Sequence, residues 1–359
     1  RLGLDRLQPK RTGATFRWPL RQRSGLREPG VHAISNFVDQ NAAYPNQVQD
    51  YSCGARSYDL ASGYNHQGID IALWPDSWNR MATGDVEIVA AAAGTIAYKS
   101  DGNADTNCAL NSGDWNAVYV RHDDGSISWY GHMKRGSLTP KAVGKRVAQG
   151  EYLGSVGSSG SSTGPHLHFE TYDASNKLIE PFAGQCNRMN TESWWETQPP
   201  YYDSRINKLA TQSAPPVFST CANNVLSNPG NYNFSNRFNP GDSVYFVTYY
   251  RDQLNTTATA LTVKRPDGSV FRQWQLTSDK PHYPSSYWYS FYTLPTNAPV
   301  GVWTFEATYL DQTVRTAFFV GSVACSGPAG DCDNDGIPDE IESSVQRSAT
   351  AKDNDIFGN

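Results

Sequence analysis

The chain has 359 residues, enough for two or three domains that each bury a core. Its formal net charge of −5 and its isoelectric point near 5.8 leave no basic surface for a nucleic acid, which we exclude as a partner. No apolar run reaches the roughly 18 residues of a membrane-spanning helix, and we exclude a transmembrane segment as well.

The cysteines indicate the compartment. Six of them are spread along the chain, with no Cys-x-x-Cys pair among them. An even number in polar, turn-rich surroundings is typical of disulfides formed in an oxidising compartment, and free buried thiols are the weaker alternative. The sequence begins at Arg1 without a methionine or a signal peptide, which we interpret as a processed form. We expect a secreted monomer outside the cell or at its surface, with the periplasm as an alternative.

The first part of the chain is predicted to be β-rich. Residues 1–30 are rich in arginine and weakly patterned, and we expect an N-terminal arm. Residues 31–190 form the first predicted domain, a series of short strands and turns with almost no helix-period segment. Its clearest element is a hairpin over 116–132, in which the turn dipeptide Asp124-Gly125 separates two alternating runs.

A second β-rich domain follows a linker. Residues 191–214 contain two consecutive prolines, which interrupt regular structure and indicate the linker. Alternating segments separated by Gly, Pro and Asn turns fill 215–324 and predict an Ig-like β-sandwich. Within it, the aromatic run of 283–292 fits either the sandwich core or an exposed face that stacks on sugars.

The acidic tail, 325–359, contains a pattern of oxygen ligands. In the stretch DCDNDGIPDEIE, the Asp, Gly and Glu residues have the spacing of an EF-hand-type Ca²⁺ loop. No helices are evident beside it and Pro338 departs from the EF-hand, so it resembles thrombospondin type 3 or bacterial Asp-rich calcium repeats more closely. A solvated acidic tail is the alternative. We expect a structural Ca²⁺ bound by Asp331, Asp333, Asp335, the carbonyl of Ile337, Asp339 and Glu342.

Two histidine motifs in the first domain suggest a metal site. His66 and Asp70 are four residues apart in NHQGIDIAL, where Gly68 and the apolar run after it favour a loop that turns into a strand. A bend at Gly68 would let the imidazole and the carboxylate converge. His166 and His168 alternate on a predicted strand and therefore project from one face, roughly 6.6 Å apart.

Imidazole plus carboxylate suits Zn²⁺, and three protein ligands leave a position open for the water that catalysis needs. For any one histidine, a hydrogen-bonded core or surface position is the more frequent explanation. The combination of His-x-x-x-Asp and His-x-His in one domain favours a site. The residues alone do not decide which three of five side chains would bind the metal: His66, Asp70, His132, His166 and His168.

The segments NHQGID, WYGHM and GSSGSSTGPHLHFE, in this order and at these separations, resemble the lysostaphin-like (LytM-type) zinc metalloendopeptidases. The resemblance covers about residues 60–182. It implies an antiparallel β-sheet with a surface groove, and peptide stems or cross-links of bacterial peptidoglycan, often at Gly bonds, as substrates. It also implies residue roles: zinc ligands His66, Asp70 and His168, and non-ligand catalytic histidines His132 and His166, which would move the water's proton and stabilise the oxyanion.

The predicted fold class is therefore mainly β, with an antiparallel β-sheet peptidase domain, an Ig-like β-sandwich and a short calcium-loop tail. The leading hypothesis is a secreted zinc endopeptidase that acts on peptidoglycan. One alternative is the same chemistry on Gly-rich proteins such as elastin. The other is a non-catalytic relative that binds the wall or activates a partner hydrolase, which the loss of a site residue would favour, and none is lost.

Several other features of the first domain bear on the predicted metal site and its groove. The segments 74–85 and 102–115 are insertions relative to the family pattern that would reshape the groove. A disulfide between Cys53 and Cys108 would connect them, although six cysteines permit many pairings. The Gly-Ser run of 157–164 suits a flexible groove wall or an ordinary surface loop. Glu170 shares a strand face with His168, which allows a role behind that ligand or as a base, but we favour a surface or strand-pairing carboxylate.

Overall fold

The computed structural model describes residues 13–219, 221 and 233–321. These residues divide into two compact units. The first unit comprises 13–21, 34–73 and 77–201, and the second comprises 22–33, 74–76 and the described residues from 202 onward. The predicted calcium ligands lie outside the described residues: Asp331, Asp333, Asp335, Ile337, Asp339 and Glu342.

The first unit is built almost entirely from short strands. Its elements are β1 (Leu20–Gln22), β2 (His32–Asn36), β3 (Ile69–Leu73), α1 (Ser77–Thr83), β4 (Val86–Val89), β5 (Gly94–Ser100), β6 (Ala117–Arg121), β7 (Ile127–Gly131), β8 (Arg146–Val147), β9 (Tyr152–Ser155), β10 (His166–Tyr172) and β11 (Leu178–Ile179). The main sheet has the order β2-β3-β10-β7-β6-β5-β8, with β11 paired to β10. A three-stranded sheet has the order β1-β4-β9. The predicted hairpin is confirmed as β6 and β7.

Strand β10 lies at the centre of the main sheet and separates the core from the candidate site. It pairs antiparallel with β3 and β7, so that His168 lies opposite both Asp70 and Gly131. Leu167 and Phe169 are fully buried. Because successive side chains of a strand point to opposite faces, His168 projects from the other face.

Residues 13–21 of the predicted N-terminal arm belong to the first unit, and Phe16 belongs to its core. Phe16 is buried and packs against Phe169, Trp194 and Trp195, with ring centroids 5.6 to 6.0 Å apart. The weak pattern of the segment does not indicate this role, in which Trp18 also takes part, with its ring 5.7 Å from that of Trp195. Phe16 therefore contacts the sheet on the face opposite to His168.

The insertion at 74–85 forms the helix α1, which ends next to Lys134. The Lys134 ammonium donates to the carbonyl oxygens of Met81 and Ala82, 2.8 Å from each. A lysine at this position satisfies carbonyls that the last helical turn leaves without partners. Among the described residues, no helix is long and apolar enough to cross a membrane.

The predicted disulfides are present, but the pairing suggested for Cys53 is wrong. Cys53 is bonded to Cys186, 133 residues later in the chain, and not to Cys108. Cys108 and Cys221 are also disulfide-bonded. The backbone carbonyl of Tyr51 accepts a hydrogen bond from the Cys186 amide, so the bonded partners already lie side by side in the fold. Sequence separation could not reveal this proximity.

Replacing both Cys53 and Cys186 by serine is expected to lower the free energy of unfolding by about 2–5 kcal/mol. The bond closes a long loop, and its removal increases the conformational entropy of the unfolded chain. Chemical denaturation of the double variant against wild type measures the difference. An unchanged unfolding midpoint would show that this disulfide does not stabilise the first unit.

The second unit contains two sheets that share one apolar core. Its strands are β12 (Arg205–Gln212), β13 (Arg237–Phe238), β14 (Ser243–Leu254), β15 (Thr259–Lys264), β16 (Val270–Leu276), β17 (His282–Thr293), β18 (Gly301–Tyr309) and β19 (Gln312–Val320). The sheet orders are β12-β14-β17 and β13-β19-β18-β15-β16. Phe246 of the first sheet packs against Phe305 and Phe318 of the second, 5.1 and 5.7 Å between centroids. This arrangement is a β-sandwich, and its Ig-like relationship stays a prediction.

One segment of the second unit differs from the prediction, and the aromatic run contributes to both the core and the surface. Residues 205–212, predicted as linker, form β12, because Ile206 and Leu209 enter the core while hydrogen bonds satisfy the buried polar residues around them. The aromatic run alternates on β17. Its even-numbered rings, Trp288 and Tyr292, pack against the core, and its odd-numbered rings, Tyr287, Tyr289 and Phe291, are exposed. The mainly β fold class is confirmed.

Candidate metal centre

The sheet brings the two predicted motifs together. Asp70 lies on β3, directly opposite His168 on β10, and His66 lies in the loop that enters β3. His66, Asp70 and His168 are all buried, and their ligand atoms lie within 4.8 Å of one another. Antiparallel pairing of β3 with β10 therefore places residues almost a hundred positions apart at one point.

Asp70 is the centre of this group. Its Oδ1 lies 2.8 Å from Nδ1 of His168, and its Oδ2 lies 3.1 Å from Nε2 of His66. The side-chain amide of Asn36 donates a hydrogen bond of 3.1 Å to the same Oδ2 and helps to hold the carboxylate in place. Tyr58 stacks on the His66 ring with centroids 4.5 Å apart. The sequence carried no signal for Asn36 or Tyr58, since neither contact follows from a local sequence pattern.

The other two predicted histidines adjoin the same group. His132 follows β7 directly and has a φ of 57°, a left-handed conformation that a residue other than glycine adopts at a cost of about 1–3 kcal/mol. Its ring centroid lies 4.5 Å from that of His166. His132, His166 and His168 form a second set whose ligand atoms lie within 4.8 Å of one another. All five predicted side chains are thus neighbours.

Each imidazole has one nitrogen occupied by an acceptor outside the group. Nδ1 of His66, His132 and His166 lies 2.6 to 2.8 Å from the carbonyl oxygens of Phe37, Ser159 and Gly164, respectively. A carbonyl oxygen only accepts, so these nitrogens carry the proton and Nε2 faces the group. His168 has the opposite orientation, with Nε2 2.9 Å from Oε1 of Glu170 and Nδ1 facing Asp70. Such outer contacts are typical of metal-binding histidines.

The charges of the group are mutually dependent. Burial alone would raise the pKa of Asp70, but His66 and His166, with hydrogen bonds from His166 and His168, hold it well below its usual range. Burial would lower the pKa of His168, but hydrogen bonds to Asp70 and Glu170 raise it to about 10. A metal ion that binds Nδ1 of His168 therefore competes with a proton.

His132 is neutral at neutral pH. Burial lowers its pKa well below the ordinary value, and the adjacent His166 and His168 act in the same direction. With Nδ1 donating to the Ser159 carbonyl, the lone pair of His132 is on Nε2, on the side of the group. This nitrogen can therefore accept a proton, as a general base must.

One side of the group is formed by Trp115, the last residue of the insertion at 102–115. Its ring lies 5.2 Å from that of His132 and 5.8 Å from that of His168. A Cβ on Gly131 would lie 2.2 Å from the indole, so this glycine makes room for the ring. The insertion was predicted to reshape the groove, but its sequence did not indicate which residue reaches the site.

The Gly-Ser run differs from the flexible loop predicted for it. Ser158, Ser159 and Ser162 are buried, and the Ser158 and Ser162 hydroxyls are hydrogen-bonded at 2.7 Å. The run supplies the two carbonyls, of Ser159 and Gly164, that orient His132 and His166. Small residues are needed here because neighbouring atoms lie close to the run: a Cβ on Gly157 would lie 2.5 Å from the backbone nitrogen of Lys134.

The bend predicted at Gly68 is present, and the structure gives a second reason for a glycine there. Its backbone is not in the left-handed region, and a Cβ at this position would lie 2.6 Å from Nε2 of His168. We expect Gly68→Ala to displace the His168 ring and to weaken the binding of a metal ion such as Zn²⁺ to this group about 10-fold or more. Competition with a chromophoric chelator measures the affinity. Gly136→Ala, where a Cβ would meet nothing within 4 Å, is the control. Unchanged zinc affinity in Gly68→Ala would contradict the expectation.

A cluster of four histidines and one aspartate, all buried except the partly buried His166, defines a candidate transition-metal centre on an antiparallel sheet. Residues 64–181, which contain the whole cluster, match the model of Peptidase family M23. The resemblance noted for about residues 60–182 is confirmed at the level of this domain match, which covers residues 64–181 and not the rest of the chain.

Curated relatives match over part of the chain. Peptidoglycan DD-endopeptidase ShyC of Vibrio cholerae is 35% identical over 80 residues, which are 22% of this chain and 18% of that protein. DD-carboxypeptidase/endopeptidase Mpg of Neisseria meningitidis is 37% identical over 105 residues, 29% of this chain and 19% of that protein. The matches thus span less than a fifth of these relatives. Among solved structures, the catalytic domain of lysostaphin from Staphylococcus simulans is 25% identical, with a TM-score of 0.25 over 35% of this chain and 83% of that chain.

Proposed function

We propose that this chain is a zinc-dependent endopeptidase that hydrolyses peptide bonds in the stems or cross-links of bacterial peptidoglycan. The observation that carries the proposal is the buried group of His66, Asp70 and His168, with His132 and His166 beside it. The match to Peptidase family M23 and the names of the two curated relatives support the reaction and the substrate.

The donor set fits zinc. Nε2 of His66, Nδ1 of His168 and a carboxylate oxygen of Asp70 converge, and imidazole and carboxylate are ligands that Zn²⁺ prefers. The orientation of both imidazoles by outer acceptors supports these three as the ligands. When bound, zinc would polarise the scissile carbonyl and bring the pKa of a coordinated water to about 7.

The two remaining histidines would handle protons. His132 and His166 each direct Nε2 toward the ligand group, because their Nδ1 atoms donate to backbone carbonyls. One of them would accept the proton of the attacking water on Nε2 and return it to the leaving amine. The other, when protonated on Nε2, would donate a hydrogen bond to the developing oxyanion. The left-handed backbone of His132 is consistent with a position held for function.

The proposed compartment is outside the cytoplasm, as a secreted or periplasmic protein. The bond between Cys53 and Cys186 supports this, because structural disulfides persist in oxidising surroundings. The location of the proposed substrate supports it independently.

The experiment that tests the function compares two substrates. The purified protein, loaded with zinc, is incubated with purified peptidoglycan and with elastin, with and without a zinc chelator, and the products are identified by mass. We expect new amino termini from peptidoglycan that the chelator suppresses. Cleavage of elastin alone would replace the substrate class, and cleavage of neither would favour the non-catalytic alternative.

A further inference from the structure

Glu170 is buried beside the proposed zinc ligand His168, with both carboxylate oxygens engaged. Oε1 lies 2.9 Å from Nε2 of His168, and Oε2 accepts a hydrogen bond of 2.6 Å from the Tyr172 hydroxyl. Only 5% of the Glu170 surface is exposed. A surface or strand-pairing role, which its sequence position suggested, is therefore wrong. A buried carboxylate without such partners would cost several kcal/mol, on the order of a lost buried ion pair.

The strand geometry aligns these three side chains. His168, Glu170 and Tyr172 alternate along β10 and project from one face, so each carboxylate oxygen meets the neighbour on its own side. The Tyr172 hydroxyl restrains the rotation of the carboxylate, since it bonds the oxygen that His168 does not use. The carboxylate is thus fixed in position before any ligand arrives.

The orientation of His168 depends on this contact. In the cluster without metal, Asp70 also holds the ring, through Nδ1 at 2.8 Å. A metal on Nδ1 replaces that hydrogen bond, and the ring proton then resides on Nε2. Among the contacts of the described residues, Glu170 is the acceptor at Nε2. The carboxylate contact therefore matters most in the metal-bound state.

We infer that Glu170, restrained by Tyr172, is a positioning residue that holds His168 with Nδ1 directed to the metal and raises the ligand strength of that nitrogen. The inference rests on the proposed zinc centre. It does not require Glu170 to touch the substrate. Removal of a carboxylate that hydrogen-bonds a metal-binding histidine typically weakens metal binding about 10- to 100-fold.

The test measures zinc affinity rather than activity alone. We expect zinc binding, measured by competition with a chelator, to weaken about 10- to 100-fold in Glu170→Ala. Glu170→Gln should lose clearly less zinc affinity than Glu170→Ala, because the amide oxygen still accepts a hydrogen bond from His168. In Tyr172→Phe, zinc affinity should fall a few-fold, roughly the effect of losing one hydrogen bond. Glu87→Ala, which removes a strand carboxylate paired with Arg21 elsewhere in the first unit, should bind zinc like wild type.

A spectroscopic readout separates positioning from general stability. In the zinc-loaded wild type, the Nε2–H proton of His168 should give a downfield, slowly exchanging NMR resonance, which disappears in Glu170→Ala and persists in Glu170→Gln. The inference is overturned if folded Glu170→Ala binds zinc as wild type does, or if the glutamine variant loses as much affinity as the alanine variant. Should Glu170→Ala fail to fold, Glu170→Gln and Tyr172→Phe decide the question.

Failure of this inference and failure of the proposed function are distinguishable. Wild type that binds zinc but cleaves neither peptidoglycan nor elastin would refute the function while leaving the affinity comparison valid. If wild type cleaves peptidoglycan and Glu170→Ala binds zinc as tightly as wild type does, only the positioning role of Glu170 is refuted.

Discussion

Asp70→Ala is expected to abolish zinc binding and to reduce peptide-bond hydrolysis by at least about 10³-fold. Asp70 contacts His66, His166 and His168, and it supplies the one carboxylate of the proposed ligand set. Its removal takes away a charged ligand and leaves the imidazoles without the anion that holds them together. Without the metal, no water near neutral pH would be activated, since free water has a pKa of about 15.7.

Zinc content after dialysis and the rate of peptidoglycan cleavage test this prediction. Asp123→Ala is the matched control, because Asp123 is an exposed carboxylate paired with Arg146 and should leave both quantities unchanged. Asp70→Asn, which keeps the shape of the side chain, should bind zinc much more weakly than wild type. Full zinc occupancy in Asp70→Ala would remove this aspartate from the ligand set.

His132→Ala is expected to lower kcat by about 10²- to 10⁴-fold while zinc remains bound. The His132 side chain directs Nε2 toward the centre but belongs to the proposed proton-transfer pair rather than to the ligands. Loss of a general base affects the chemical step, so KM should change much less than kcat. This separation of activity from metal content distinguishes its role from that of Asp70.

Steady-state kinetics and zinc analysis on the same preparation provide the measurement. His282→Ala is the control. His282 is in the second unit and is hydrogen-bonded to Asp252, so this substitution should leave kcat unchanged. Loss of zinc in His132→Ala would instead make His132 a ligand. Full activity with zinc retained would assign proton transfer to His166 alone.

Much of the candidate site was readable from local sequence. His66 with Asp70, and His166 with His168, were identified because their spacing and residue types suit a metal, and the strand alternation of β10 was predicted correctly. The division of the five residues into ligands and proton carriers came from a family resemblance and is still a proposal. Spacing alone could not make that division, because all four imidazoles face the same small volume.

Outer contacts were the part that sequence reasoning missed or misjudged. Local sequence does not place Glu170 behind His168 or Trp115 beside the site, and at Gly68 it indicates the bend but not the close approach of the His168 ring. The pairing of Cys53 was also wrong. The contacts of Trp115, Gly68 and Cys53 join segments far apart in the chain, for which neither periodicity nor residue type carries a signal. Glu170 contacts His168 and Tyr172 on its own strand, but its burial depends on the surrounding fold.

The sequence by itself determined the β-rich class, the hairpin of β6 and β7 and the identity of the five clustered side chains. These follow from local properties: alternation on a strand has a fixed period, turn residues have fixed backbone preferences, and metal ligands are few in kind. The tertiary structure decided which nitrogen of each histidine faces the centre and which side chains surround it. Those features depend on the pairing register of β3, β10 and β7, because register sets which distant residues meet.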